Sequence, residues 1–497
     1  MKELPPARER VSGIRMLPGS FPEALMAALV KVARRRGTEL YAVGGTVRDW
    51  LLSRSSHDLD LTVARNAEEF CRDLIGELGG GTFVRLGTAD EEAARVVWKG
   101  LDVDVSAFRG GAERLADDLR LRDFSINSLA VDLVALMDDR DHADLIDPMS
   151  GLEDLECGVL RHCPGAFTAD PLRLLRAYRF MATLGFTVDE ATRKAIGDNS
   201  EHISRVAAER IRYELELIIR TEQSAEILWQ MHGAGLLQRI LPELYAGMGV
   251  EQPGFHHLDV FHHNFQVLRE MEQLLSAAES VYPENAEEIT AYLAGRHVRG
   301  CLKWAALLHD IGKPEAAGRA AGDAGRVTFY GHDEIGRRQF EGYARRLKWS
   351  NEERERTGSL IAMHMHPFHL CNVQREQRLS RRAAMKLCRR AGENLPGLFL
   401  LAMADSLASR GELKPERMEE ELVKLYREVA AINKEHIRPA LCGPPLLGGR
   451  DLIDQCGLEP GPVFSLILEE LQALQVEGEV TTRKEALDWV AGFVKKQ

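Results

Sequence analysis

The chain has 497 residues, 45% of them hydrophobic and 28% charged, with a formal net charge of −12. A single core seldom grows beyond about 250–300 residues, so about two to four domains are expected. The acidic total excludes a protein coated in positive charge but leaves room for local basic patches, and no apolar run nears the roughly 20 residues needed to cross a bilayer. No membrane association is expected. Eight cysteines lie scattered without a Cys-x-x-Cys pair, which suggests neither a zinc knuckle nor a disulfide framework. The polar, proline-containing start shows no secretory pattern, so a reducing cytoplasm is the expected location.

Residues 1–20 read as a loose lead-in, and Phe21–Arg35 has helical periodicity. Glu39–Val43 is a short apolar strand that stops at Gly44-Gly45, after which Thr46–Leu52 has helical spacing. Glycines at such a turn let backbone N–H groups approach an anion, and the helix start points its positive end the same way. That suits a triphosphate, to which Arg48 adds a charged fork. Beyond Ser53–His57 the chain becomes extended, and strand alternation puts Asp58 and Asp60 on one face while Leu59 and Leu61 enter the core. Two carboxylates crowded together are costly unless cations sit between them, and paired magnesium ions join an attacking hydroxyl to a phosphoryl centre. In a chain with 43 glycines and 76 acidic residues, a Gly-Gly or an Asp-x-Asp alone is ordinary. Their combination at this spacing is the signal.

Glu68–Leu78 then reads as a helix, Thr82–Leu86 as a strand, and Arg95–Trp98 and Asp102–Ala107 as two strands about a Lys99-Gly100 turn. Asp104 is expected as a third acid at the metal site, the alternative being a solvent-facing strand position. Phe108–Leu119, with its Gly-Gly and dense charge, is expected to be mobile. It leads to Arg122-Asp123-Phe124-Ser125-Ile126-Asn127, placed where a nucleotide's sugar and phosphates need polar contacts.

Gly-Gly-x-Val-Arg-Asp, Asp-x-Asp and Arg-Asp-Phe-Ser-Ile-Asn in this order resemble the head of the class II tRNA nucleotidyltransferase and bacterial poly(A) polymerase family. Gly151–Arg161 resembles that family's hinge element, Asp170–Phe180 its nucleotide-selecting helix, and Ile203–Leu215 the helix behind it. The resemblance covers residues 40–220. It implies that Asp58 and Asp60 hold metals, that Gly44, Gly45 and Arg48 hold the triphosphate, and that Arg122, Asp123 and Asn127 contact phosphates and ribose. Asp170 and Arg173 would read the base, with Arg176 and Arg179 on the same helix also at the nucleotide. A carboxylate can accept from an exocyclic amine while a guanidinium donates to the ring, and three residues apart on a helix both reach one side. The alternative for these two is an intrahelical ion pair. Leu121 stands where many members carry a second arginine, and Ala169 where many carry a glutamate.

Leu160–Glu243 has helical periodicity, broken by Pro242 and by Gly247–Gly254. Ten of the sixteen histidines then fall between His256 and His369. His263, His309-Asp310, His332, His364 and Asp405 in this order resemble the HD superfamily of metal-dependent phosphohydrolases. By that resemblance His263, His309, Asp310 and Asp405 hold one divalent transition metal, with His332 and His364 supporting a second. Gly318–Gly325 is expected as a flexible loop beside this site and Glu279–Glu288 as an exposed insertion. Met418–Ile432 is strongly amphipathic, and Pro444–Lys484 reads as a helical hairpin.

The expected fold is α+β: a lead-in and helix (1–35), a small mixed-sheet nucleotidyltransferase head (36–158), a helical neck (159–250), an HD domain (251–410) and a helical C-terminal region (411–497). The expected activity is template-independent addition of CMP and AMP, from CTP and ATP, to tRNA 3′ ends with magnesium, beside a second phosphohydrolase site. The rivals are poly(A), CC-only or A-only addition, or an HD phosphodiesterase or phosphatase whose head binds RNA.

Overall fold

Eight strands build one mixed sheet in the N-terminal part of the protein: β1 (Arg10–Ile14), β2 (Tyr41–Val43), β3 (Asp58–Val63), β4 (Thr82–Arg85), β5 (Ala93–Trp98), β6 (Leu101–Ala107), β7 (Ala130–Asp132) and β8 (Ala143–Ile146). The computed structural model describes residues 10–14, 21–56, 58–86, 92–138, 143–252, 254–319 and 327–494. They fall into two units, one comprising residues up to 221 with 230–240, the other 222–229 with 241 onward.

The strand order is β1-β8-β7-β2-β3-β6-β5-β4, and among these neighbours β3 and β6 alone run parallel. Alternation along β3 buries Leu59, Leu61 and Val63 against Val103, Val105 and Val96, and the helices Glu23–Arg36 and Ala67–Leu78 close this core with Leu25, Leu29, Phe70 and Leu74. Truncating one of these leucines to alanine costs about 2–5 kcal/mol. The opposite parity of β3, carrying Asp58 and Asp60, is thereby turned away from the core.

Three expectations need correction. The lead-in contributes β1, which pairs antiparallel with β8 through Arg10↔Ile146 and Val11↔Leu145 and covers an edge that would otherwise expose unpaired backbone. Within Phe108–Leu119 a short helix, Leu115–Arg120, is anchored by fully buried Asp118, which accepts from the Arg109 N–H at 2.9 Å. Glu279–Glu288 is not a bare insertion, because Tyr282 is buried and donates its hydroxyl hydrogen to the Phe399 carbonyl at 2.9 Å. Residues 320–325 of the expected Gly318–Gly325 loop lie outside the described residues, while Gly318–Arg319 pairs with Val327–Thr328.

In the second unit, Leu395–Ala408 is buried on nearly every face, as its almost unbroken apolar sequence requires. It packs with Val260–Val281 and Val298–Leu308. Towards the C-terminus, Pro462–Glu477 ends at Gly478 and Arg483–Val494 follows, with Leu452, Ile467, Leu471 and Val490 in a small shared core. Among the described residues no helix is long and apolar enough to cross a membrane.

Candidate nucleotide site and metal cluster

At the end of β2 the chain turns through Gly44, whose φ of 64° and ψ of −130° disfavour any side chain. A Cβ there would lie 2.8 Å from Arg122 Nη1 and 3.7 Å from Asp60 Oδ2; on Gly45 it would lie 3.2 Å from the same Asp60 oxygen. The two glycines thus admit a guanidinium and a carboxylate against bare backbone. Parallel register places Asp58 beside Asp102 and Asp60 beside Asp104. Thr46, on the helix Gly45–Leu51, accepts the Asp60 N–H at 2.7 Å and fixes the strand to the turn. Burial, then the charges of Asp104 and Asp58, push the Asp60 carboxyl above its ordinary value despite Arg122 and Arg48. Such a crowded all-oxygen donor set fits a hard divalent cation. Asp104 faces the same cavity, but both of its oxygens accept from Arg95 (2.7 and 2.8 Å), which also reaches Asp102 at 2.5 Å.

That cavity, of about 550 Å³, has a wall of arginines. Arg48 donates to Asn127 Oδ1 at 2.7 Å, Asn127 donates to Asp123 at 3.0 Å, and Arg176 grips Asp123 Oδ2 with two nitrogens at 2.8 and 2.6 Å. Burial works to raise the Asp123 carboxyl, yet Arg176 and the Asn127 hydrogen bond outweigh it and hold the group well below the usual carboxylate range. Burial, helped by Arg109, lowers Arg122 to about 10, and its partner is Asp118 at 3.3 Å. Arg48, Arg176 and Arg179 surround the Phe180 ring at 5.1, 5.4 and 4.3 Å from its centroid, and Arg179 meets buried Glu214 at 2.8 Å.

Asp170 and Arg173 do not share a helix. Asp170 sits in extended backbone after the short helix Ala166–Ala169, whereas Arg173 opens Arg173–Leu184. Both line the cavity, but Asp170 is paired with Arg210 at 2.8 Å, so the intrahelical ion pair is excluded. Arg173 donates to the carbonyls of Leu121 and Arg122 at 3.1 and 3.2 Å. The residue at 121 therefore contributes backbone, while its side chain is exposed. Arg95, Arg109, Asp118, Arg210 and Glu214 escaped the sequence reading as site residues. Of these only Arg210 and Glu214 carried a signal, by falling within the Ile203–Leu215 segment.

The second unit brings all six expected HD residues together. His263 stands one turn into the helix capped by Asp259, with Nε2 3.0 Å from Asp405 Oδ1 and 3.8 Å from Asp310 Oδ2. His309 Nε2 lies 3.2 Å from Asp310 Oδ2 and 4.0 Å from Asp405 Oδ1. On the other side, His332 and His364 approach Asp310 Oδ1 at 3.3 and 3.5 Å, their Nε2 atoms 3.1 Å apart. The Nδ1 atoms of His309, His332 and His364 each meet a backbone carbonyl, of Ala306, Phe329 and Ile361, at 2.7–2.9 Å. Donation there points the Nε2 lone pairs inward, the arrangement of metal-ligating imidazoles. Buried Asp310 oxygens and His309 Nε2 have no hydrogen-bond partner of good geometry, and a transition metal fits this nitrogen and oxygen donor set. Asp310 is held well below the carboxylate range because His309 and Lys313, whose Nζ is 2.5 Å away, overcome its burial. His256 and Lys313 were missed, although both fall in the histidine-rich stretch.

Three family models match parts of the chain. "Poly A polymerase head domain" matches residues 40–161, "Probable RNA and SrmB- binding site of polymerase A" residues 185–248, and "HD domain" residues 283–409. An A-adding tRNA nucleotidyltransferase of Deinococcus radiodurans is 33% identical over 462 residues, covering 91% of this chain and 95% of its own. A CC-adding tRNA nucleotidyltransferase of Geobacter sulfurreducens is 32% identical over 491 residues, covering 96% of this chain and 97% of its own. A solved CCA-adding enzyme with CTP shares the fold, with a TM-score of 0.64 at 19% identity over 98% of this chain and 99% of that one. A carboxylate pair beside an arginine-walled cavity, in a chain this similar over nearly its whole length to two such transferases, belongs to the tRNA nucleotidyltransferase family.

Proposed function

We propose that this protein adds CMP and AMP, from CTP and ATP, to the 3′ ends of tRNA in the cytoplasm. The observation that carries the reading is the pairing of crowded carboxylates at Asp58, Asp60 and Asp104 with a cavity walled by arginines, of which Arg48 and Arg122 are buried. Asp58 and Asp60 would hold magnesium, whose chemistry there is to ease deprotonation of a hydroxyl and offset charge on phosphoryl oxygens. Arg48 and Arg122 meet the triphosphate over the bare backbone of Gly44 and Gly45, where no Cβ holds the anion off. Asp123 and Asn127 keep the arginines at fixed spacing and offer the ribose polar contacts, and Arg176 and Arg179 add positive charge from the cavity wall. Asp170 accepts from the exocyclic amine shared by cytosine and adenine, and Arg173 donates to the ring beside it. The bond between the tRNA 3′ oxygen and the α-phosphorus forms as the α-phosphorus–oxygen bond to pyrophosphate breaks. Positioning and charge do this work without a covalent enzyme intermediate.

A second reading, CC-only or A-only addition, is favoured by the names of the relatives that match over 90% of both chains. Offering tRNAs that end at the discriminator base, at C and at CC, each with CTP or ATP alone, separates the products. Incorporation of both nucleotides to a complete CCA supports the first reading, and a block after CC or before the first C supports the second. Replacing Asp58 and Asp60 together by alanine should abolish every addition while leaving the fold, and a double variant that still extends tRNA refutes the mechanism. The cluster around Asp310 we assign to hydrolysis of a phosphate ester on one or two transition metals held by His263, His309, Asp310, Asp405, His332 and His364.

A further inference from the structure

We propose that His256 is a further ligand of the metal centre formed by His263, His309, Asp310 and Asp405, giving it five protein ligands rather than four. The proposal rests on the reading of that cluster as a transition-metal site. A ring nitrogen of His256, one of His263 and an oxygen of Asp310 lie within 4.8 Å of one another, and the rings of His256 and His263 meet edge to face with centroids 4.3 Å apart.

The tautomer of His256 follows from its neighbour. Ser409 donates its hydroxyl hydrogen to the Asp405 carbonyl one turn back at 2.9 Å, so its oxygen is left to accept from His256 Nδ1–H at 3.0 Å. The Nε2 lone pair then faces the cluster. A cation already stands before it: Lys313 Nζ lies 3.4 Å from His256 Nε2, 2.5 Å from Asp310 Oδ2 and 2.6 Å from Gln252 Oε1. Imidazole, carboxylate and amide oxygen converge on one positive charge, which is what a metal position asks of its surroundings. Through Ser409 the ring of His256 is thus tied to the backbone of the helix that carries Asp405.

A fifth ligand carries a consequence for metal choice. Four-coordinate tetrahedral sites suit zinc, whereas higher coordination with nitrogen and oxygen donors suits manganese, iron, cobalt or nickel. The test uses the full chain carrying Asp58→Ala and Asp60→Ala, so that the head contributes no metal binding. After chelator stripping, Co2+ is titrated and followed by equilibrium dialysis and visible absorption. With His256→Ala, Co2+ is expected to bind at least about tenfold more weakly. Its absorption should rise as coordination falls from five towards four. His256→Gln, which keeps side-chain volume, guards against a folding artefact, with circular dichroism and thermal unfolding as controls. Unchanged affinity and spectrum in both variants overturn the role of His256. Absence of Co2+ binding with His256 intact, matched by His309→Ala, overturns the metal-site reading itself.

Discussion

Substituting Gly44 by alanine tests the geometry of the nucleotide site at its tightest point. The backbone there has φ 64° and ψ −130°, a region that costs a non-glycine residue about 1–3 kcal/mol. The added Cβ would also sit 2.8 Å from Arg122 Nη1, and Arg122 has little room to yield because it is buried and paired with Asp118. If the guanidinium moves, one charge-assisted contact to the triphosphate is lost, worth about 1.5–3 kcal/mol, or roughly tenfold to 150-fold in affinity. Gly37 supplies the control. It caps the helix Glu23–Arg36 with φ 59° and ψ 34°, and a Cβ there meets nothing within 4 Å. Gly37→Ala should therefore cost about 1–2 kcal/mol of stability and leave nucleotide binding alone. Urea unfolding gives the stability of each variant, and calorimetric titration with CTP and ATP gives the affinities. Wild-type affinity in Gly44→Ala, or an equal weakening in Gly37→Ala, would refute the argument that bare backbone at residue 44 is what admits Arg122.

Asp60→Asn should make the metal-free head more stable than wild type at neutral pH while abolishing addition. A carboxyl raised by burial and Asp104 folds more easily when protonated, so stability falls as pH rises from the ordinary value of 3.8 through the raised one. The gain, read by urea unfolding in a chelator, should vanish near pH 4, and a less stable variant at pH 7 would count against it. Arg176→Ala leaves Asp123 buried beside Asn127 without its guanidinium, a loss of about 3 kcal/mol, at the low end for a broken buried pair because Arg176 is partly exposed. Because Asp123 is held low, that pair stabilises above the ordinary carboxylate range and is lost as pH falls through the depressed value. The wild-type minus variant difference should shrink in acid. Adding Mn2+ or Co2+ at about 100 times its dissociation constant should stabilise the second unit by about 2.7 kcal/mol, and Asp310→Ala should remove that gain in a thermal melt.

Much of this site could be read locally. The Gly44–Leu61 stretch holds its strand, turn, helix and second strand within a few residues, and alternation alone turns Asp58 and Asp60 away from Leu59 and Leu61. What escaped was set by distance along the chain. Asp104 could be named as an acid on a neighbouring strand, but Arg95, which takes both of its oxygens, reaches it only because β5 and β6 pair. Asp170 was expected on one helix with Arg173, since the helical pattern is nearly continuous across Pro171, but the chain breaks there and Arg210 becomes its partner. The lead-in strand β1 has no strong pattern of its own and takes its conformation from the free edge of β8.

Phe180 has a consequence for how the empty site meets a nucleotide. Three guanidiniums gather on one neutral ring, and each also meets a carboxylate: Arg48 meets Asp49 at 2.9 Å, Arg176 meets Asp123 at 2.6 Å and Arg179 meets Glu214 at 2.8 Å. The quadrupole of the ring adds to these pairs in holding like charges close together. The wall is therefore set before any polyanion arrives. One aromatic side chain spares the nucleotide much of the cost of ordering three long ones.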